Sequence, residues 1–408
     1  MKCRYLILLL CLAIEIQAKN TIYSPQIKTL QSVVNKDWLA PTVMRLNSDD
    51  IINIDFDDLS DNINQYIYKI ERCEVDWRTS TEVFESDWLE GFNNNSIDEF
   101  GYSTNTTIPY IHYHLQIPND QCRFKLSGNY RLNIIKETND EIVASVEFMV
   151  SEQSMSLALQ LSANTDIDFY KSHQQITASL NYNKEQIANA EEQIILIVTQ
   201  NNREDNSRKN IRPTYVSEKG MEWTHCSDLI FEAGNEYHKY EILDVSHPTM
   251  GIDFIHWDGN HYQVYPFINN PRLQYIYDQD ANGSFYIRNS NNTENETTCD
   301  YVWVNYRLHT PQLLNGNIYV HGRWTTEKAA NYLMHYNAEE QVYQTYILQK
   351  QGYYSYQYLW QKNDGTSHFL PSEGNFHQTE NRYQAYIYYK KLGERTWRLT
   401  AVREILSE

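Results

Sequence analysis

Apolar residues recur along this chain in short alternating runs, not at helical spacing. Tyr66-Ile67-Tyr68-Lys69-Ile70 alternates in the manner of a strand with one buried face. Similar runs, rich in β-branched residues and Tyr, fall at 43–46, 51–56, 110–117, 128–135 and 145–150. Asn47-Ser48-Asp49-Asp50 and Ser127-Gly128-Asn129 punctuate them with turn chemistry, which defines a first unit over 19–150. After a short hinge at 151–154, candidate strands at 155–161, 174–182, 193–199, 237–243, 262–265, 273–277 and 284–287 define a second unit over 151–289. Inside it, 201–210 is charged and glycine-free and reads as a solvated loop, and 186–193 holds at most a helical turn or two. The Asn/Thr/Glu-rich stretch 290–298 reads as a linker. A third unit over 299–408 alternates at 301–308, 317–321, 332–336, 342–348, 353–360, 383–389 and 398–402. The prediction is an all-β chain of three consecutive Ig-like or E-set-like β-sandwich domains, the last of E-set or starch-binding type.

Composition supports that reading and adds a compartment. The 33 tyrosines suit half-exposed strand faces, and 41 % apolar content is enough to build real cores. Residues 1–18 read as a secretory signal peptide: Lys2 and Arg4 are followed by an apolar run from Leu6 to Ile14, with Ala18 at the cleavage point. Leu10-Cys11 lacks the small residue of a lipid-anchoring signal. No later apolar run approaches the ~20 residues of a spanning helix. The formal net charge is −19, and the leader would carry away Lys2, Arg4 and Glu15. Such an acidic chain is not expected to bind nucleic acid through phosphates, and its partners should be neutral or basic. Cys73, Cys122, Cys226 and Cys299 remain after the leader; they permit two disulfides in three connectivities and fit no zinc spacing.

Four constellations carry candidate chemistry. Asp278-Gln279-Asp280-Ala281-Asn282-Gly283 copies the first half of a calcium loop, with Asp278, Asp280 and Asn282 as weak metal-ligand candidates. The twelfth position is Asn289 instead of Glu, and Asn282-Gly283 between alternating runs is itself a hairpin turn. His112 and His114 share a strand face, as half of a metal site or as structural histidines. Asp55 and Asp57 share another, with Asp58 beside them, as a carboxylate pair or as solvated, turn-capping groups. Trp77, Trp88 and Phe92 lie on the strand-to-loop stretch 55–100; Trp77 is expected in the core, while Trp88 and Phe92 are core anchors or an interface patch. No Gly-x-Ser-x-Gly, glycine-rich phosphate loop or His-Glu-x-x-His occurs, so no catalytic residue and no cofactor is assigned.

Several blocks at consistent spacing resemble one family. They are Arg45-Leu46-Asn47, Phe56-Asp57-Asp58-Leu59, Cys73-x-x-Asp76-Trp77, Leu89-x-Gly91-Phe92-x-x-Asn95-x-Ile97, His112-Tyr113 and Leu126-Ser127-Gly128-Asn129-Tyr130. Further along come Asp300-Tyr301-Val302-Trp303-Val304, Lys350-Gln351-Gly352-Tyr353-Tyr354 and Glu373-Gly374-Asn375-Phe376. Together these resemble the plug protein family of the Bacteroidetes type IX secretion system. The resemblance implies a non-catalytic periplasmic protein, peripheral to the outer membrane. It would cap the periplasmic mouth of the outer-membrane translocon β-barrel when no cargo is loaded. On that reading Trp88 and Phe92 are candidates for the apolar centre of the interface. The family pattern supplies no partner for Cys122, and a Cys73–Cys122 bridge is carried as a candidate. The chain departs from the pattern at Val320-His321-Gly322-Arg323-Trp324-Thr325, so nothing is implied for 324–331. The alternative is a periplasmic or surface glycan-binding module: Gly352-Tyr353-Tyr354-x-Tyr356-Gln357-Tyr358 is similar to starch-binding sandwiches, although only Trp324 and Trp360 lie nearby to build a stacking platform.

Overall fold

A computed structural model describes residues 20–60 and 62–407; the leader expected at 1–18 lies outside the described residues. Nearly all regular structure among the described residues is strand, arranged in several mainly antiparallel sheets whose apolar faces enclose three large cores and a smaller cluster between units.

The first unit is a sandwich of two sheets. One orders Thr21–Ile22, Glu141–Ser151, Gly128–Lys136, Tyr66–Cys73 and Asn95–Ser96, with Val43–Arg45 parallel to Glu141–Ser151. The other orders Ile27–Val34, Ile52–Asp58, Ile111–Ile117 and Glu99–Tyr102. Period-two alternation decides what faces inward: Ile52, Ile54 and Phe56 are buried, while Asn53, Asp55 and Asp57 point to the opposite face. Phe56 stacks on Tyr113 at 5.1 Å and Tyr130 on Phe148 at 5.7 Å. Fully burying each such side chain contributes roughly 1.5–3 kcal/mol.

The second and third units do not follow one another along the chain. The strand Ile194–Gln200 pairs over its whole length with Arg382–Tyr389, which in turn pairs with Arg398–Leu406. Tyr383, Ala385, Ile387 and Tyr389 lie in one core with Ile176, Leu180, Leu196 and Trp223. The end of the chain therefore completes the second sandwich, and the third is inserted into it. That insertion begins with His238–Ile242, which pairs with Gly352–Lys362. The expected boundaries at 289 and 299 are corrected accordingly. The cause is visible in Ile194-Ile195-Leu196-Ile197-Val198, a continuous apolar run that needs cover on both faces. Ile194, Leu196 and Val198 face the second core, while Ile197 packs with Tyr386, Tyr388 and Leu399 against Val43, Val75 and Met149 of the first unit.

Four smaller expectations are also corrected. The segment 201–210 is not a solvated loop: Arg203–Arg208 pairs back on Ile194–Gln200 through Asn201 and Asn202, both at positive φ (56° and 55°). Two left-handed Asn residues are the signature of a tight hairpin turn. Residues 273–277 form no strand, and Leu273, Ile276 and Tyr277 are exposed. The stretch 290–298 is packed: its Thr297 carbonyl accepts from Thr104 N at 2.8 Å, and its Glu296 carbonyl accepts from Tyr110 Oη at 3.2 Å. The hinge read at 151–154 is likewise pinned, with Glu152 N bonded to Leu399 O and Met155 N to Thr400 O.

Candidate functional site

The loops at one end of the first unit place two phenylalanines in solvent on fixed backbone. Glu85–Trp88 forms a single helical turn whose start is closed by Asp87 accepting from Phe84 N at 3.0 Å. This turn sends Trp88 inward and Phe84 outward. Trp88 is 5 % exposed and packs 5.6 Å from Tyr130 in the core, so its interface assignment is corrected. Phe84 is 71 % exposed and Phe92 76 %. Gly91 precedes Phe92 at φ +102°, and a Cβ there would stand 2.0 Å from Gln121 O, so only glycine fits. Phe92 N donates to the same carbonyl at 2.8 Å. Asn93 ties the two loops together: its Nδ2 donates to Glu85 Oε2 at 2.7 Å and its Oδ1 accepts from Ile70 N at 2.7 Å. Glu82, Glu85, Asp87 and Glu90, all exposed, flank the two phenylalanines in sequence. Sequence reasoning missed Phe84, which stands in extended conformation at the N-cap of that turn and outside it.

The candidate histidines and carboxylates converge elsewhere. Cross-strand register sets Asp57 opposite His112 and Asp55 opposite His114. His112 Nδ1 lies 2.8 Å from Asp57 Oδ1, and its Nε2 3.4 Å from Asp55 Oδ1. His114 Nδ1 lies 2.6 Å from Asp55 Oδ1. The third unit completes the set. Lys350 Nζ is 2.6 Å from Asp57 Oδ2, with both side chains 1 % exposed, and Tyr301 Oη donates to the same oxygen at 2.6 Å. Lys350 also sits 4.1 Å from the Tyr110 ring centroid. Burial alone would pull His112 down, but its hydrogen bonds to Asp55 and Asp57 outweigh that and lift it to about 9. Burial pushes Asp55 up, and the two histidines reverse this, holding it at about 2. Asp57 is likewise lowered by Lys350 and His112 against its burial. Both Asp57 oxygens are thus committed to partners, and the set is a seam between units one and three. Asp58 has a third role, accepting from Ser60 N, Asn64 Nδ2 and Tyr66 Oη.

The remaining candidates separate. Asp278 pairs with Lys239 at 2.5 Å, and the same ammonium reaches Gln279 O, so an internal cation takes this turn. Asp280 accepts from Tyr237 N and Asn282 N, and burial raises it to about 7. Asn282 and Gly283 carry the positive φ of a tight turn. Among the described residues no group of three His, Cys, Asp or Glu side chains is placed to hold a metal. Cys73 and Cys122 are both buried free thiols, which corrects the candidate bridge. Cys122 Sγ lies 3.5 Å from Tyr68 Oη; alternation along Tyr66–Cys73 turns Cys73 to the face opposite Tyr68. Trp77 is buried, at the junction of the units and outside the first core.

Fold and site together define a protein of stacked β-sandwiches with interlocked units and two exposed phenylalanines on braced loops. The first sandwich matches the family described as type 9 secretion system plug protein 1st domain over residues 27–152. The crystal structure of a hypothetical protein from Parabacteroides merdae ATCC 43184 is similar over 96 % of this chain and 100 % of its own, at 33 % identity and a TM-score of 0.92. The chain belongs to the type 9 secretion system plug protein family. The C-terminal domain of the Streptococcus pyogenes antigen I/II-family protein AspA aligns over 93 % of this chain and 99 % of its own, but 7 % identity and a TM-score of 0.17 carry no argument. Among curated proteins none matches. No helix among the described residues is long and apolar enough to cross a membrane.

Proposed function

We propose that this chain is a non-catalytic plug that docks from the periplasm on the outer-membrane translocon barrel of type 9 secretion and closes it when no cargo is engaged. Family membership supports the plug role. The observation that carries the docking reading is the Phe84/Phe92 tip. Two large apolar side chains held in solvent on braced loops, inside the family-matched domain, suit the centre of an interface, and the acidic rim suits a basic or neutral mouth. The test is a tagged pull-down from detergent-solubilised outer membrane. The barrel should co-purify with the native chain and not with Phe84→Asp/Phe92→Asp, and loss of the gene should let small dyes leak. Equal recovery of the barrel by both chains would move the contact elsewhere; recovery by neither would remove the plug reading.

A second reading, glycan binding, is favoured by one feature. The outer face of the sheet containing Tyr301–His309 displays Phe254 stacked on Tyr265 at 4.2 Å and Trp303 against Tyr346 at 5.5 Å. Asn305 stands between them, with its Nδ2 3.1 Å from Gln263 Oε1. Neutral amides beside flat rings are chemistry that suits sugar stacking. Retardation in polysaccharide-containing native gels, abolished by Trp303→Ala/Tyr346→Ala, is the expected result on this reading.

A further inference from the structure

The three units meet around a cavity of about 310 Å³. Trp38 and Trp77 line it from the first unit, Arg203 from the second, and Asn282, Ser284 and Arg323 from the third. That volume equals about ten waters at ~30 Å³ each and reaches the lower end of small-molecule sites.

The charges around it are unevenly paired. Glu147 is bound by Arg131 at 2.6 Å, Arg203 by Asp205 at 2.6 Å, and Glu204 by Lys209 at 3.1 Å. Arg323 has no carboxylate within ion-pair distance among the described residues. Its Nη1 donates to Trp38 O at 3.3 Å, Leu39 O at 3.1 Å and Ser284 Oγ at 3.0 Å, and its Nη2 to Ala40 O at 2.9 Å. Burial pulls this guanidinium down to about 10, which leaves it charged at neutral pH. A guanidinium with no carboxylate at ion-pair distance therefore borders the cavity, held by backbone carbonyls and the Ser284 hydroxyl. A second observation is independent of that charge count. Arg203 is 4 % exposed, and its Nη1 is buried without an acceptor. A buried charged donor left unpaired is costly, and such groups are normally satisfied by some partner.

We propose that this cavity binds a small oxyanion, the carboxylate or phosphate of a low-molecular-weight ligand, with Arg203 Nη1 donating to it and Arg323 as its counter-charge. The proposal does not rest on the plug reading. Because the liners come from all three units, a bound oxyanion braces the units against one another, and its loss loosens them together.

The test uses the full chain titrated with sodium succinate and, separately, inorganic phosphate. Ionic strength is held constant with chloride, and binding is read by calorimetry and by the emission of Trp38 and Trp77. Saturable binding of either anion, with a rise in Tm at concentrations too low for general salting effects, is expected. Succinate alone would mark a carboxylate site, phosphate alone a phosphoryl site. Affinity should fall at least tenfold in Arg203→Gln and in Arg323→Gln. If an arginine variant does not fold, Gln31→Trp, which fills the cavity rim and keeps both guanidinium groups, should abolish binding instead. No saturable binding by the native chain means that the cavity holds water only and overturns the proposal. Unchanged affinity in the variants that fold does so too, since the anion would then sit elsewhere.

Discussion

The outer face of the Ile52–Asp58 sheet and the loop tip that carries Phe84 and Phe92 belong to one sandwich and break the usual rule of burial in opposite directions. On the first, Asp57 and His112 are removed from water; on the second, two phenylalanines are left in it. The buried charges are fully partnered, from within the unit by His112 and from the third unit by Lys350 and Tyr301. The exposed rings have no such partner among the described residues, yet their backbone is braced by Asn93 and the Gln121 carbonyl. A polar contact that is complete inside the molecule fixes how units sit. An apolar contact that is prepared but incomplete is the form a surface for another molecule takes.

The strongest way to break this contrast is to remove one side of the seam. Lys350→Met leaves the buried Asp57 with His112 as its remaining cation, and stability should fall by up to about 3–5 kcal/mol. Equilibrium unfolding in urea measures it, followed by intrinsic fluorescence and far-UV circular dichroism together. Adding Asp57→Asn to Lys350→Met neutralises both partners while keeping an acceptor for Tyr301, and should recover a substantial part of the loss. A double variant as unstable as the single one would mean that the seam acts through packing and not through charge.

A gentler perturbation of the same seam is pH. His112 is raised to about 9 in the folded chain against about 6.5 unfolded. Its contribution is therefore complete below pH ~6.5 and is lost as pH rises through about 9, on the order of 3 kcal/mol. Asp55 is depressed to about 2, so the share of the same interaction assigned to it is present above pH ~4 and lost as pH falls through about 2. The seam should thus be most stable between about pH 4 and 6.5. His112→Gln should flatten the alkaline limb of a Tm-against-pH profile. An unchanged limb in that variant would assign it to groups other than His112.

Much of this was legible in the chain, and the parts that were not share a cause. Alternation located Tyr66–Cys73, Ile111–Ile117 and Gly128–Lys136, because a strand with one wet face writes its own pattern. It also put Asp55 with Asp57 and His112 with His114 on common faces. It could not show that these faces adjoin, since register between 55 and 114 is set by the sheet and not by either strand. Still less could it bring in Lys350, whose partner lies 293 positions away. The order of the units was misread for the same reason: pairing of Ile194–Gln200 with Arg382–Tyr389 crosses an entire inserted sandwich. The double-sided apolar run at 194–198 was the available signal, and Asn201-Asn202 was the available turn. At the tip, Trp88 and Phe92 looked alike because composition says nothing of the short strand Leu89–Gly91 that separates them.

Within that pair Phe92 gives the smallest expected change in stability, and its contrast with Trp88 the sharpest test of the tip. Trp88 and Phe92 are four residues apart on the same loop, one in the core and one in solvent. Trp88→Ala empties a core site and should cost about 3–5 kcal/mol. Phe92→Ala removes a ring that touches water and should shift stability by no more than about 0.5 kcal/mol, within the usual range for surface positions. If the tip is an interface centre, that silent substitution should still weaken capture of the barrel by about 30-fold or more, the loss of a hot-spot residue worth about 2 kcal/mol. Phe84→Ala should behave in the same way, and the two losses should be less than additive because Asn93 couples their loops. A Phe92→Ala chain that is both fully stable and fully competent to bind would leave its exposed ring as an ordinary surface residue.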